Sequence, residues 1–314
     1  MAGKLRLREA VFEYLKNNAG AKFTARQIAM WIFETYPEEC EEKRRRSTQN
    51  LDVVQQLAAE IGSSRPEIQK KHPQIKTTEG RPRKYYYSTQ TDDAEVAQAE
   101  AGHDVANATH ASAPSSSRLG EHDLYPLLVQ YLWDEHGVFA MRIDENKSSN
   151  RRGVNGNHWL HPDVVGMEDL SAEWGREVRD CVSAYSDRRA SLWSFEVKLL
   201  LNRSNVRECF FQTLSNSSWA NFSYLVVQDI EGTDTIKELR MLSAAHGIGL
   251  IRLDVENPPE SEVLIPARER SAVDWDMVNR LAEENSDFRE FVKRIRRFHQ
   301  TGDAADWGLR AAAD

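Results

Sequence analysis

Apolar positions recur along this chain with two different periods. Between residues 5 and 17, Leu7, Val11, Tyr14 and Leu15 fall on one face of a predicted helix. Thr24 is placed to cap a second helix, with Gln27 at the capping-box position and Ile28, Trp31, Ile32 and Tyr36 following at helical spacing. After the charged stretch EECEEKRRR, a third helix is expected from about Thr48 to Ile61, with Leu51, Val54, Leu57 and Ile61 inward and Gly62 as its stop. Ser64 then caps a short helix to Lys71, with Pro66 in its first turn. The segment QIKTTEGRPRKYYYS predicts two short strands around a turn at Glu79-Gly80-Arg81-Pro82.

The periodicity stops at residues 89–117, a run rich in Ala, Ser, Thr and Asp without a single aromatic residue. Such a composition buries too little apolar surface to offset its ordering entropy, so a flexible linker is expected there. Beyond it, residues 120–135, 204–218, 234–246 and 274–299 read as helical, and 137–143, 159–166, 191–199, 222–228 and 247–253 as extended. A polar insertion occupies 167–190. The order α-β-β-β-α-β-α-β predicts a mixed α/β domain over 118–314, separate from an α-rich module over 1–88.

Charge sharpens that division. The 314 residues carry a net charge of −8, which alone argues against a nucleic-acid partner. By segment, residues 1–88 carry +6, residues 89–117 carry −5 and residues 118–314 carry −9. A basic module is therefore tethered to an acidic one. The three cysteines, Cys40, Cys181 and Cys209, are too few and too scattered for a disulfide framework or a thiolate zinc site. The first residues lack the apolar run of a signal peptide, and no window approaches the ~18 apolar residues of a membrane span. The expectation is a cytoplasmic protein without a membrane partner. No Walker A or GxGxxG sequence is present, so no nucleotide cofactor is expected.

In the basic module, LAAEIGSSRPEIQKKHPQI has the layout of a helix-turn-helix, with Arg65, Gln69, Lys70 and Lys71 on its second helix. The hairpin that follows sets Arg81, Arg83 and Lys84 beside three tyrosines. Together these resemble a winged helix, its second helix in the major groove and its wing on the backbone. Lys and Arg would take phosphates, and Gln69 and Arg65 suit base edges. A solvated basic face or a protein-binding winged helix fits the same residues.

The acidic domain carries a more specific pattern. Pro162-Asp163 sits in an extended segment, and Glu196 and Lys198 follow 33 and 35 residues later in LWSFEVKLLL. Side chains alternate along a strand, so Ser194, Glu196 and Lys198 share one face and Phe195, Val197 and Leu199 the other. Two opposite charges in an apolar strand are costly to bury without a purpose, such as a metal and a scissile phosphate. A surface cross-strand ion pair, with Asp163 capping a turn, is the alternative. Glu121 opens a helix with Leu124, Tyr125, Leu128 and Leu132 on its buried face. Gln212 borders the inward face of NVRECFFQTLSN.

This arrangement resembles the PD-(D/E)xK nuclease superfamily. The resemblance implies a restriction-endonuclease-like domain with a mixed sheet flanked by helices. Asp163, Glu196 and the Val197 carbonyl would ligate Mg2+, with Mn2+ as a substitute, and Glu121 would support it directly or through water. Lys198 would activate the attacking water, and Gln212 would orient Lys198 or the substrate. The phrases HPQIKTTEGRPRKYYYS and NGNHWLHPDVVG, with a winged helix ahead of the nuclease domain, further resemble HrgA-type proteins encoded near bacterial restriction–modification genes. That implies a DNA endonuclease of restriction or anti-phage type acting on double-stranded DNA, with a homodimer cutting both strands. Similar fusions cut only adenine-methylated DNA, which leaves methylation dependence open. A non-catalytic DNA-binding regulator and an RNA nuclease are the rival readings. Strand alternation sets His161 beside Asp163, for a substrate contact or a structural hydrogen bond. Arg151, Arg152 and Asn155-Gly156-Asn157 form a polar loop suited to a DNA backbone or to a plain surface.

Overall fold

The computed structural model describes residues 5–46, 52–101, 119–149, 159–185, 187–302, 304 and 307. The expected start of the third helix at Thr48, and the polar loop with Arg151, Arg152, Asn155 to Asn157 and His158, lie outside these residues. The chain divides into two compact units, one comprising 1–95 with 230–234 and the other 96–229 with 235–314.

The first unit sets four helices, α1 (Leu7–Asn17), α2 (Ala25–Thr35), α3 (Pro37–Arg46) and α4 (Val53–Lys71), with three strands, β1 (Phe23–Thr24), β2 (Ile75–Thr77) and β3 (Lys84–Tyr87). The strands form an antiparallel sheet in the order β1-β3-β2. The capping box at α2 forms as its sequence predicts: Gln27 N donates to Thr24 Oγ1 at 3.2 Å, and Thr24 N to Gln27 Oε1 at 2.8 Å. Val11, Leu15, Ile28, Ile32, Leu57, Ile61, Ile68 and Tyr85 make one core. The charged stretch, to which the sequence pattern assigns no element, is helix α3. Pro37 opens it, Glu38 and Glu39 occupy its first turn and the arginines its end, the polarity a helix dipole favours.

The expected helix-turn-helix over 57–75 is not formed. Residues 53–71 are one continuous helix that passes through Gly62 and Pro66. Glycine and proline cost a helix interior about 1 and about 3 kcal/mol. Against that, Ile68 prolongs the buried stripe of Leu57 and Ile61, and the Ser63 and Ser64 hydroxyls donate to the Glu60 carbonyl. Part of the segment expected to be a flexible linker is helical, and its residues 102–117 lie outside the described ones. Residues 92–101 form helix α5 (Asp92–Ala101), started by Thr91, whose hydroxyl accepts from Ala94 N at 3.3 Å. Asp92 and Glu95 are held at 2.9 and 3.1 Å by the Lys76 ammonium. Composition predicted a free segment because it could not show that one lysine of the hairpin anchors the helix.

The second unit is built on a six-stranded sheet in the order β4-β5-β6-β7-β8-β9. Its strands are β4 (Val138–Arg142), β5 (Val164–Asp169), β6 (Ala190–Leu201), β7 (Phe222–Ile230), β8 (Gly249–Arg252) and β9 (Glu262–Ile265). The β4/β5, β5/β6 and β8/β9 pairs are antiparallel and β7/β8 is parallel, so the sheet is mixed. The helices are α6 (Glu121–His136), α7 (Arg176–Ala184), α8 (Val206–Asn216), α9 (Thr233–His246), α10 (Trp275–Glu284) and α11 (Ser286–Thr301). On one side of the sheet, Leu124, Tyr125, Leu128 and Leu132 of α6 pack on Val164, Phe195, Val197 and Leu199. On the other, Val278, Leu281, Phe288, Phe291 and Ile295 of α10 and α11 pack on Val165, Met167 and Leu192. The single helix expected over 274–299 is broken at Asn285, which caps α11 by accepting from Asp287 N and Phe288 N at 2.8 and 3.1 Å. Strand β9 and helix α7 were not anticipated, being short or polar. Cys40 and Cys209 are buried and Cys181 is exposed on α7. No helix among the described residues is long and apolar enough to cross a membrane.

Candidate active site

The site lies where β5 begins and β6 runs on past it. The ladder between the two strands starts at Val164 opposite Phe195, so β6 continues beyond its partner through Glu196, Val197 and Lys198. Asp163 closes that gap. Its backbone N–H donates to the Phe195 carbonyl at 3.1 Å, and its Oδ2 accepts the Val197 N–H at 2.7 Å, replacing the missing strand bond. Its own carbonyl accepts from Ile143 N at 2.8 Å, so β4 and β6 both fix it. The extended reading of 159–163 is corrected here. These residues form a turn, with Trp159 at φ 55°, and the strand starts only at Val164. Alternation therefore says nothing about His161.

Glu196 is completely buried, on the strand face opposite Phe195 and Val197. Lys198 Nζ lies 2.7 Å from Glu196 Oε1 and 3.7 Å from Glu121 Oε2. Glu121, the first residue of α6, accepts the Tyr125 hydroxyl at 3.0 Å from one turn along the helix. Four predicted residues, Asp163, Glu196, Lys198 and Glu121, thus meet in one place. The alternative of a surface cross-strand ion pair does not describe them, since Glu196 is buried and pairs with Lys198 along its own strand.

The fifth predicted residue is arranged differently. Gln212 is half-buried on α8 and makes no hydrogen bond among the described residues. Asn216, one turn later on the same helix, donates to Glu196 Oε2 and to the His161 carbonyl instead. Sequence reasoning stopped one turn early on the correct helix. Tyr125 was counted only as core, although its spacing of four from Glu121 was the signal for their bond. Arg142, at the end of β4, was missed altogether. Its guanidinium stacks 4.8 Å from the centre of the Tyr125 ring.

Electrostatics separates the roles. Burial and the Glu196 charge push the Asp163 carboxyl well above the usual carboxylate range. Burial also raises Glu196, against the opposing pull of Lys198 and Asn216. Burial by itself would lower Lys198, but Glu196, Asp163 and Glu121 outweigh it and hold the ammonium charged. His161 is depressed to about 4 by burial, and neither ring nitrogen has a hydrogen-bond partner among the described residues. The Cys209 thiol, buried on α8, is pushed up to about 12.

Hard oxygen donors suit a divalent cation. Two carboxylates with raised pKa values and the Val197 carbonyl supply oxygen donors of that kind. In a strand the N–H and C=O of one residue point to the same side, so the Val197 carbonyl faces the gap beyond β5. Asp163, Glu196 and that carbonyl fit the group. They do not form a three-side-chain metal cage: no cluster of three His, Cys, Asp or Glu side chains poised for a metal occurs among the described residues.

In the first unit, several of the residues expected to contact DNA are engaged within the fold. Arg65 and Arg83 both pair with Glu79, at 3.3 and 2.7 Å. Gln69 donates to the Ile75 carbonyl at 3.3 Å, and Lys71 pairs with Glu9. The two residues best suited to base edges, Arg65 and Gln69, are thus occupied within the fold. Lys70 is exposed on α4, Lys84 half-buried on β3, and Arg81 exposed in the loop between β2 and β3. Compared with known proteins, the chain matches no family model, no curated protein and no solved structure.

Proposed function

We propose that the chain is a divalent-metal-dependent endonuclease of double-stranded DNA, of restriction or anti-phage type, whose first unit binds DNA as a winged-helix-like module, with the continuous helix α4 and the β2–β3 hairpin in place of the helix-turn-helix expected over 57–75. The observation that carries the reading is the convergence of Asp163, Glu196, Lys198 and Glu121 at the one point where β6 outruns β5. A charged group buried without a task is costly, and here a fully buried Glu196 meets a half-buried Lys198 and a half-buried Asp163.

Asp163, Glu196 and the Val197 carbonyl would hold Mg2+ or Mn2+. When bound, such a cation polarises a phosphodiester and makes a bound water more acidic. Lys198 then acts as a fixed positive charge. Because its neighbours hold it as an ammonium, it orients the water and offsets charge developing on the phosphate rather than taking a proton. Tyr125 keeps Glu121 aimed at Lys198, and Asn216 keeps Glu196 in place. The three-stranded sheet β1-β3-β2, with Lys70 exposed on α4 and Arg81 exposed between β2 and β3, supports DNA binding by the first unit. Cutting both strands needs two such sites, which favours a homodimer on DNA.

The test is cleavage of adenine-methylated and unmethylated plasmids with Mg2+ or with chelator. Wild-type protein is expected to cut only with metal, and Lys198→Ala to lose roughly a hundredfold or more. Absence of cleavage on every duplex, with DNA binding retained, would replace this reading by a non-catalytic DNA-binding regulator. Preference for duplex RNA in competition would replace it by a ribonuclease.

A further inference from the structure

We infer that Arg142 is a phosphate-binding residue of the candidate active site, gripping a backbone phosphate of the nucleic acid beside the carboxylates. The inference rests on the nuclease reading above and deepens it.

Arg142 ends β4, opposite Val164 in the antiparallel pair and next to Ile143, whose N–H bonds the Asp163 carbonyl. The residue is therefore fixed to the same backbone that fixes Asp163. Its guanidinium lies 4.8 Å from the Tyr125 ring centre, and the Tyr125 hydroxyl reaches Glu121 at 3.0 Å. A continuous series of contacts thus runs from Arg142 through Tyr125 and Glu121 to Lys198.

The half-buried Arg142 forms no ion pair with a carboxylate among the described residues. That is unusual in this neighbourhood, because Glu121 accepts Tyr125 and faces Lys198 while Glu196 is held by Lys198 and Asn216. Its Nε is buried with no hydrogen-bond partner. An arginine that makes no ion pair with Glu121, Asp163 or Glu196 and lies over an aromatic ring keeps guanidinium donors for another anion. Guanidinium matches the geometry of phosphate oxygens with two parallel bonds, and stacking reduces the entropy lost on binding. The anion whose chemistry fits beside two carboxylates and a lysine is the phosphodiester the site would cut. Arg142 also places a positive charge on the approach to an acidic site, lowering the repulsion that a phosphate would meet.

The experiment measures affinity of the full-length chain for a short DNA duplex across a salt series, in a Lys198→Ala background with Mg2+ so that the duplex stays intact. Arg142→Ala and Arg142→Gln are expected to weaken binding roughly tenfold. They should also reduce the slope of log affinity against log salt by about 0.9, the signature of one lost phosphate contact. Arg142→Lys should keep the slope and lose part of the affinity. A thermal melt of each variant checks folding. Unchanged affinity and slope in folded Arg142→Ala overturns the inference and assigns the arginine to packing on Tyr125. Failure of the nuclease reading shows separately, as wild-type protein that binds the duplex and never cuts it. No binding of any duplex by the full chain overturns both.

Discussion

At the scale of single residues, the buried pair of Glu196 and Lys198 has consequences for stability as well as chemistry. Removing one partner leaves an uncompensated charge in the sheet. Lys198→Ala is expected to destabilise by about 3 kcal/mol, the low end for a buried pair because the Lys198 side chain is 15% exposed. The double variant Glu196→Gln with Lys198→Met, which removes both charges, should recover most of that loss in a urea melt while remaining inactive. If the double variant is as unstable as the single one, the pair is not what the single substitution breaks. Protonation gives a second check. Asp163 and Glu196 have folded pKa values raised above the ordinary 3.8 and 4.5. The folded metal-free protein therefore binds more protons than the unfolded one above that range, so these groups lower stability as pH rises through it. His161, depressed from 6.5 to about 4, works in the opposite sense and costs stability as pH falls between those values. Urea denaturation in chelator from pH 5 to 8 should show the stability advantage of Asp163→Asn over wild type growing with pH. A constant difference would remove the raised carboxyl from the account.

At the scale of elements, the ends of helices decide more than their middles. Asn285 is completely buried, accepts from two N–H groups of α11 and donates to the Asp144 carbonyl at 2.8 Å and to Ser148 Oγ at 3.1 Å. Asn285→Ala removes the cap and strands those partners, and a loss of about 2 kcal/mol in chemical denaturation is expected. A loss below ~0.5 kcal/mol would show that the break between α10 and α11 is held by packing alone. The same contrast explains what was legible in the residues. The capping box of Thr24 and Gln27 and the alternation in LWSFEVKLLL are local, and both are found as read. Helix α4 and helix α5 were misread because their deciding contacts, Ile68 against the core and Lys76 against Asp92 and Glu95, are made across the fold. At the site, Asp163 and Glu196 could be matched by spacing and type. Asn216 could not, because an amide four residues past a plausible glutamine carries no signature until the helix is docked on β6.

At the scale of the whole molecule, the positive charge of residues 1–88 is largely balanced inside the first unit, where Asp92, Asp93, Glu95, Glu231 and Asp234 join it. Residues 1–88 hold the positive excess, yet Arg65, Lys71 and Arg83 spend part of it on internal acids. Phosphate affinity of the first unit should therefore depend on the others. Charge reversal at Lys70 and Lys84 is expected to weaken duplex binding and to flatten its salt dependence by about one to two units of slope. Arg65→Ala should instead lower the melting temperature, since Glu79 is 7% exposed on its side chain and loses a partner. Equal loss of DNA affinity in both variants would return Arg65 to the DNA-contacting face. The three cysteines give the molecule a convenience of a different kind. With Cys40 and Cys209 buried and Cys181 exposed, the native chain offers a single accessible thiol and the unfolded chain three. A maleimide dye should attach once, on α7, without any engineered substitution. The same protein can then carry one fluorophore for anisotropy measurements on DNA, and the second and third labels would count the molecules that have opened.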